Sequence, residues 1–417
     1  MKFSEKWLRE WVNPAMDTQA LAHRLTMIGH EVDEIERHGE GLDAVVVGEI
    51  IEVDRHPDAD RLSVCQVAVG DGDTLEVVCG APNVRPGLKS PFAPVGARLP
   101  NGMKLRRAKI RGVQSNGMLC SAVELALGDE SDGIMELPDD APTGASLAGY
   151  LDLPDYSFDL DLTPNRGDCF SVLGIARDVA ALASTAMKAA DVESVPASIT
   201  DAHPVELGHP EGCPRFGARV IRNIDMSAES PLWMKERLRR SGLRSIHPVV
   251  DVTNYVMMEL GQPLHAYDLA KLNGPIRPRL ASEGEKLKLL DDSEVLLKAN
   301  TLVISDDSGA IGMAGIMGGH STMVTDETVD VFFEAAFFSP EIMAGVARQY
   351  GMHTDASMRF ERGVDPVGQV RAIERATELL LEISGGDAGP MVDHHVDEFR
   401  PPNASMTLRE SRLKRIL

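Results

Sequence analysis

A chain of 417 residues exceeds what one ordinary hydrophobic core supports and predicts two to four domains. Its 43% hydrophobic and 25% charged content fits a globular protein, and a formal charge of −22 excludes indiscriminate adhesion to nucleic acid, because phosphate binding needs clustered cations. No apolar run approaches the ~18 residues of a membrane span, and MKFSEKWLREW carries charges where a signal peptide needs an apolar stretch, so a cytoplasmic location is expected.

Met1 to Phe3 reads as a short strand, and Ser4 as the cap of a helix that places Trp7, Leu8 and Trp11 on one face before Asn13-Pro14 stops it. Asp17 caps a second helix carrying Leu21, Leu25 and Ile28, ended by Gly29, and EVDEIE follows as a strand. From Leu42 to Ala148 the texture is all-β. VVVGEIIEV, LSVCQVAVG, TLEVVCG, LKSPFAPVG and KLRRAKIRG, separated by HPDADR, GDGD, APNVRPG and LPNG, fit a five-stranded oligonucleotide/oligosaccharide-binding (OB) barrel. The run FDLDLTPNRGDCFSVLGIARDVAALAS then predicts a strand, a turn at Thr163 to Gly167, and a helix capped by Asp168. Ala189 to Pro210 reads as a linker, and a large domain follows it, closing with the amphipathic helix VRAIERATELLLEISGG. The cysteines Cys65, Cys79, Cys120, Cys169 and Cys213 are scattered without a C-x-x-C pair, which predicts reduced, buried residues and neither a zinc site nor a disulfide framework.

Two stretches carry the chemistry. In RSIHPVVDVTNYVMMELGQPLHAYD the polar residues Arg244, Thr253, Asn254 and His265 punctuate runs that must be buried, which suggests a pocket. If VFFEAAFF is a strand, alternation puts Glu334 on one face with Phe332, Ala336 and Phe338. A carboxylate on an apolar wall has either a permanent partner or a vacancy for a ligand's donor. The permanent partners on offer are Arg359 and Arg362, just as Arg244 has Asp251 and His265 a backbone carbonyl. Arg359, Glu361, Arg362 and Asp365 read as an internal ion-pair network. GAIGMAGIMGG lacks the lysine of a phosphate-cradling loop, and no G-x-S-x-G elbow supplies a nucleophile. Two basic runs, KLRRAKIR and WMKERLRRSGLR, are each either a phosphate-binding patch or a solvated face.

HPDADRL, VCGAPNVRPG and RGVQSNGMLCS resemble the tRNA-binding barrel of several aminoacyl-tRNA synthetases. LTPNRGDCFSVLGIARDVAAL, HPVVDVTNYVMMELGQPLHAYD, IMGG and HTDASMRFERGVDP extend the resemblance to the β subunit of bacterial phenylalanine–tRNA ligase over essentially the whole chain. The resemblance implies an α+β multidomain protein in which a small N-terminal α+β domain (1–41 and 149–190) is interrupted by the OB-fold barrel (42–148). A mixed α/β editing domain (205–398) would follow, then the truncated start of a further domain (399–417), making the chain a fragment.

It further implies an (αβ)₂ heterotetramer with an α subunit that charges tRNA(Phe). ATP and Mg²⁺ would be used elsewhere in the full ligase, with no cofactor or metal bound by this part. The activity implied here is proofreading, the hydrolysis of tyrosine wrongly esterified to tRNA(Phe). Glu334 and the backbone at Gly318 would receive the phenol, Ala356 would keep the ring's entrance small, and Arg244, Thr253, Asn254, His265 and Thr354 would line the ester end. Lys104, Arg106 and Arg107 are the expected tRNA contacts of the barrel. The alternative is a tRNA-binding and subunit-assembly module without activity of its own.

Overall fold

The computed structural model of the protein describes residues 1–70, 72, 74–129, 131–189, 191–402 and 404–416. Asp71 and Asp73 of the expected GDGD turn, and Ala190 and Leu417 at the ends of two expected segments, lie outside the described residues. The chain divides into two compact units, one of Met1–Asp161, Ala176–Lys188 and Pro231–Ser245, the other of Leu162–Ile175, Ala189–Ser230 and Ile246–Leu417. Both mix helices and strands, and no described helix is long and apolar enough to cross a membrane.

In the first unit, Asp155–Asp161 is the middle strand of an antiparallel sheet flanked by Lys2–Ser4 and Glu31–His38. The local signals there hold. Ser4 accepts from the Trp7 N–H to cap the helix Glu5–Trp11, Asp17 caps Thr18–Met27, and Gly29 takes a left-handed φ of 99°. Between Glu31–His38 and Asp155–Asp161 the chain makes a second, nearly closed antiparallel sheet. Its order is Thr74–Cys79, Ser63–Ala68, Val46–Arg55, Lys89–Pro94 and Gly117–Leu119. The Asn116 N–H reaches back to the Glu76 carbonyl at 2.9 Å, and Ser115 Oγ accepts from the Val78 N–H at 3.1 Å, so the last strand nearly meets the first.

Four of the five expected strands of this sheet form. The fifth does not come from KLRRAKIRG, where only Ala108–Ile110 is a strand, paired in a small hairpin with Val113–Ser115. Gly117–Leu119 takes the fifth place because its last residue, Leu119, is apolar and buried, whereas Lys104, Arg106, Arg107 and Lys109 are all exposed. The other basic run is neither a patch nor a solvated face. On the helix Leu232–Arg240, Arg237 pairs with Glu10, Arg239 with Glu236, and buried Arg240 with both Glu236 and Asp155.

In the second unit, the strand Val331–Phe337 lies between His265–Asp268 and Arg215–Arg222, with Asp387–Ala388 and Val392–His395 beyond. All seven of its residues are buried, so both faces need cover. On one face, Phe332, Ala336 and Phe338 join Tyr267, Leu302 and Ile304 in a single core. On the other lies the helix Gln369–Ser384; a Cβ added at Gly217, opposite Ala335, would stand 3.1 Å from Ile373. A second sheet, ordered Arg277–Leu280, Leu302–Asp306, Gly309–Met313 and Met317–Gly318, completes the core.

Three expectations change. The segment read as a linker is tied along the second unit: Val195 is held by Arg219 and Glu374, Ser198 by Ala388, and His203 by the Gly274 carbonyl, because its backbone groups find partners there. The helix Val172–Ala183 is capped by Ser171, which accepts from the Gly174 N–H at 2.9 Å, while Asp168 pairs with Arg166. The charges of RFERGVDP do not form one network. Arg359 pairs with Asp355, Glu361 accepts from the Gly345 N–H, Arg362 donates to the Leu162 carbonyl, and Asp365 stands 3.9 Å from Arg371.

Candidate functional site

The five-stranded and four-stranded sheets of the second unit approach each other where Gly318 packs against His265, the residue paired with Glu334. Antiparallel pairing sets His265 opposite Glu334, and period-two alternation puts Tyr267 on the same face of its strand. The Tyr267 hydroxyl donates to Glu334 Oε2 at 2.6 Å, and no hydrogen bond reaches Oε1 among the described residues. Glu334 is only 6% exposed, and the cations the sequence offered as its partners, Arg359 and Arg362, are engaged elsewhere. Burial pushes its carboxyl up to about 7, opposed by the Tyr267 hydrogen bond. Tyr267 stays protonated, since burial and then the adjacent carboxylate push its phenol well above its ordinary value.

His265 stands edge-on to Tyr267, with ring centroids 4.5 Å apart at 81°. Its Nε2 is buried with no hydrogen-bond partner among the described residues, and desolvation pushes the imidazole down to about 4, so it is neutral at physiological pH. Gly318 supplies the space for this ring. A Cβ there would lie 2.4 Å from His265 Cε1 and 2.6 Å from Nε2. The other glycines of this stretch also serve close packing. A Cβ at Gly315 would meet Phe360 at 2.7 Å, and one at Gly319 would meet the Ile311 carbonyl oxygen at 2.3 Å, which leaves no cradle for a phosphate.

The remaining candidates are placed less directly. Thr354 caps the helix Asp355–Arg362 and donates its hydroxyl to the Ile316 carbonyl at 3.0 Å, two residues before Gly318. Ala356, in the first turn of that helix, packs against the same core. Thr253 and Asn254 lie on the helix Pro248–Leu260. Thr253 spends its hydroxyl on the Val250 carbonyl at 2.8 Å, and among the described residues no hydrogen bond joins either of them to His265 or Glu334. Asp251 of the same helix accepts from Ser230 and from the Ile246 N–H. Arg244 is exposed and belongs to the first unit, as do Lys104, Arg106 and Arg107.

Tyr267 is the residue that sequence reasoning missed. The signal was its place two positions after His265, which puts the two side chains on one face once HAYD is a strand. Two surface clefts, of about 420 Å³ beside Gln19 and Ile35 and about 310 Å³ beside His209 and Gln349, contain none of these residues. The carboxylate, the phenol and the neutral imidazole are therefore the chemistry on offer: an acceptor short of one donor, next to a ring nitrogen able to take a proton.

The family described as "B3/4 domain" matches residues 212–385, and that described as "Putative tRNA binding domain" matches residues 45–146. Curated relatives include phenylalanine–tRNA ligase β subunits from Pseudomonas fluorescens (54% identical over 417 residues, 100% of this chain and 52% of the relative) and Pseudomonas savastanoi pv. phaseolicola (55%, with the same coverage). That of Legionella pneumophila is 50% identical over 416 residues, again 100% of this chain and 52% of the relative. The chain thus spans about half the length of the curated relatives it matches. Among solved structures, an N-terminal fragment of the phenylalanyl-tRNA synthetase β subunit from Pyrococcus horikoshii is 15% identical, with 57% of this chain and 67% of that one covered at a TM-score of 0.32, too loose a superposition to carry weight. With about half of all positions identical along its entire length, the chain is similar throughout to about half of a phenylalanine–tRNA ligase β subunit.

Proposed function

We propose that this chain carries the proofreading site of a phenylalanine–tRNA ligase and hydrolyses tyrosine wrongly esterified to tRNA(Phe). The observation that carries the reading is Glu334: a buried carboxyl with no cation on it, one oxygen held by a neutral phenol and the other without a partner. A pocket selecting phenylalanine for synthesis rejects an added hydroxyl weakly, whereas a site that hydrogen-bonds that hydroxyl rejects the ring lacking it by ~10⁴-fold in favourable cases. Phenylalanine here would leave Oε1 buried and unpaired.

In the chemical step a water adds to the ester carbonyl carbon and the bond from that carbon to the ribose oxygen breaks, giving free tyrosine and uncharged tRNA. Neutral His265 accepts the water's proton and returns it to the leaving ribose oxygen. The backbone at Gly318 gives the phenolic oxygen its second contact, and Ala356 keeps the ring's entrance small. Thr253, Asn254 and Thr354 complete the ester end when the tRNA terminus is bound.

The same reading assigns 42–148 to an OB-fold barrel that contacts tRNA through Lys104, Arg106 and Arg107, the discontinuous 1–41 and 149–190 to the host domain, 205–398 to editing, and 399–417 to the start of a further domain. The α subunit, the (αβ)₂ assembly, a cytoplasmic location, and synthesis with ATP and Mg²⁺ belong to the whole ligase. Supporting the tRNA role, the five cations of the barrel run are exposed and none forms an ion pair among the described residues. The test is deacylation of Tyr-tRNA(Phe) and Phe-tRNA(Phe) by the purified chain. Selective release from the first, lost in Glu334→Ala and His265→Ala, is expected; binding of both without turnover would replace editing by the assembly-module reading.

A further inference from the structure

Glu334 is an acceptor without a cation, and that is a costly arrangement for a buried carboxylate. A cation would have satisfied both oxygens and closed the site. The donor present is the Tyr267 hydroxyl, 2.6 Å from Oε2. It cannot swing away cheaply: Tyr267 is 1% exposed, with its ring set against His265 at 4.5 Å and against Phe332 at 6.0 Å. A carboxylate offers about four acceptor positions over its two oxygens, so a bound Oε2 leaves Oε1 able to take a second phenol.

We infer that Tyr267 is a positioning residue for selectivity, its hydroxyl fixing Glu334 through Oε2 so that Oε1 is turned, as an acceptor only, toward the phenol of the incoming aminoacyl group. This rests on the proofreading reading above and names a residue that reading does not require. The site then recognises one phenol with the help of another. The side chain already present supplies hydrogen bonding that favours the ionised acid against the effect of burial, but too little to quench it. A carboxylate makes the stronger, charge-assisted O–H···O⁻ bond to a phenol; a protonated acid makes a weaker one and presents a donor of its own, so its preference for tyrosine over phenylalanine shrinks.

The other titratable groups facing Glu334 are His265, neutral and on the neighbouring strand, and the buried Cys213 thiol, which burial pushes well above its ordinary value. Arg219 on the opposing strand is committed to Glu374, and Arg215 to Asp393. Among the described residues none of these supplies a hydrogen bond to Glu334, which leaves the ionised form dependent on Tyr267.

The variant is Tyr267→Phe, which keeps the ring's packing and removes one oxygen. For the 417-residue chain, selectivity for Tyr-tRNA(Phe) over Phe-tRNA(Phe) should fall about 10-fold, through a higher KM for the tyrosyl ester. The acidic limb of the tyrosyl pH profile should move up by about one unit. Unchanged selectivity with an unchanged acidic limb overturns the inference. A second measurement separates it from the proofreading reading. The Glu334 side-chain carboxyl, followed by ¹³C NMR and assigned by Glu334→Gln, should titrate at higher pH in Tyr267→Phe. An upward shift supports the role of Tyr267 even if the wild-type chain proves inactive, which would sink proofreading alone; an unshifted midpoint overturns the role of Tyr267 whatever the activity.

Discussion

Replacing Glu334 by Gln keeps the shape and an oxygen for Tyr267 but removes the titrating proton. In the folded wild type, burial raises the carboxyl from its ordinary 4.5 to about 7, so the folded state holds a proton that the unfolded chain has already released. The stability due to this group is therefore full below about pH 4.5 and is lost as pH rises through about 7. The loss totals roughly 3 kcal/mol, of which about 2.5 kcal/mol develops between about pH 5 and about pH 8. Glu334→Gln escapes it, and His265, present in both proteins, cancels in the difference. All three tryptophans, Trp7, Trp11 and Trp233, lie in the first unit, so their fluorescence does not report on this strand. The assay is urea unfolding at the two pH values, read by pulsed hydrogen exchange of the peptide covering Val331–Phe337. Relative to wild type, the variant should gain stability as pH rises. Parallel behaviour at both pH values would mean that Glu334 is hydrated, and the argument from a desolvated acceptor would fail.

Gly318→Ala should move the imidazole off its seat, because the new methyl would overlap His265 Cε1; a crystal structure showing the ring unmoved with wild-type deacylation would remove Gly318 from the site. Neutralising Lys104, Arg106 and Arg107 together should lower the slope of log affinity for tRNA against log salt by about 2 to 3, whereas an unchanged slope would place the tRNA elsewhere. Asp155→Ala should cost about 3 kcal/mol, read by tryptophan fluorescence, because it strips buried Arg240 of a partner at 2.9 Å and Ser4 of another; a cost under about 1 kcal/mol would show that Glu236 alone satisfies that guanidinium.

Local chemistry was the legible part of this sequence. Ser4 and Asp17 cap because a short side-chain oxygen next to free helical N–H groups has few other uses, and VFFEAAFF is a strand because its bulky residues need two packed faces. Patterning singled out His265 and Glu334 and the resemblance added Gly318; strand pairing sets the first two opposite each other, and the third packs against the His265 ring. Illegible were the choices settled by competition over distance. Gly117–Leu119 displaced KLRRAKIRG from the barrel sheet because burying Leu119 outweighs extending an exposed basic strand. The basic helix became an ion-pair hub because Glu10, Glu236 and Asp155 reach it, two of them from far along the chain. Tyr267 was passed over because the sequence shows a phenol and an acid 67 positions apart, and only the register between their strands makes them neighbours.

The central claim is that an acid among phenyl rings reads one phenolic proton. It is tested most directly by the affinities of two non-hydrolysable adenosine 3′-amides, one carrying tyrosine and one phenylalanine, measured by calorimetry on the wild-type chain and on Glu334→Ala. The account predicts at least about 100-fold tighter binding of the tyrosyl compound to wild type, and near-equal binding of the two to the variant. Equal affinities on wild type, or a tyrosyl preference that survives the loss of Glu334, would contradict it.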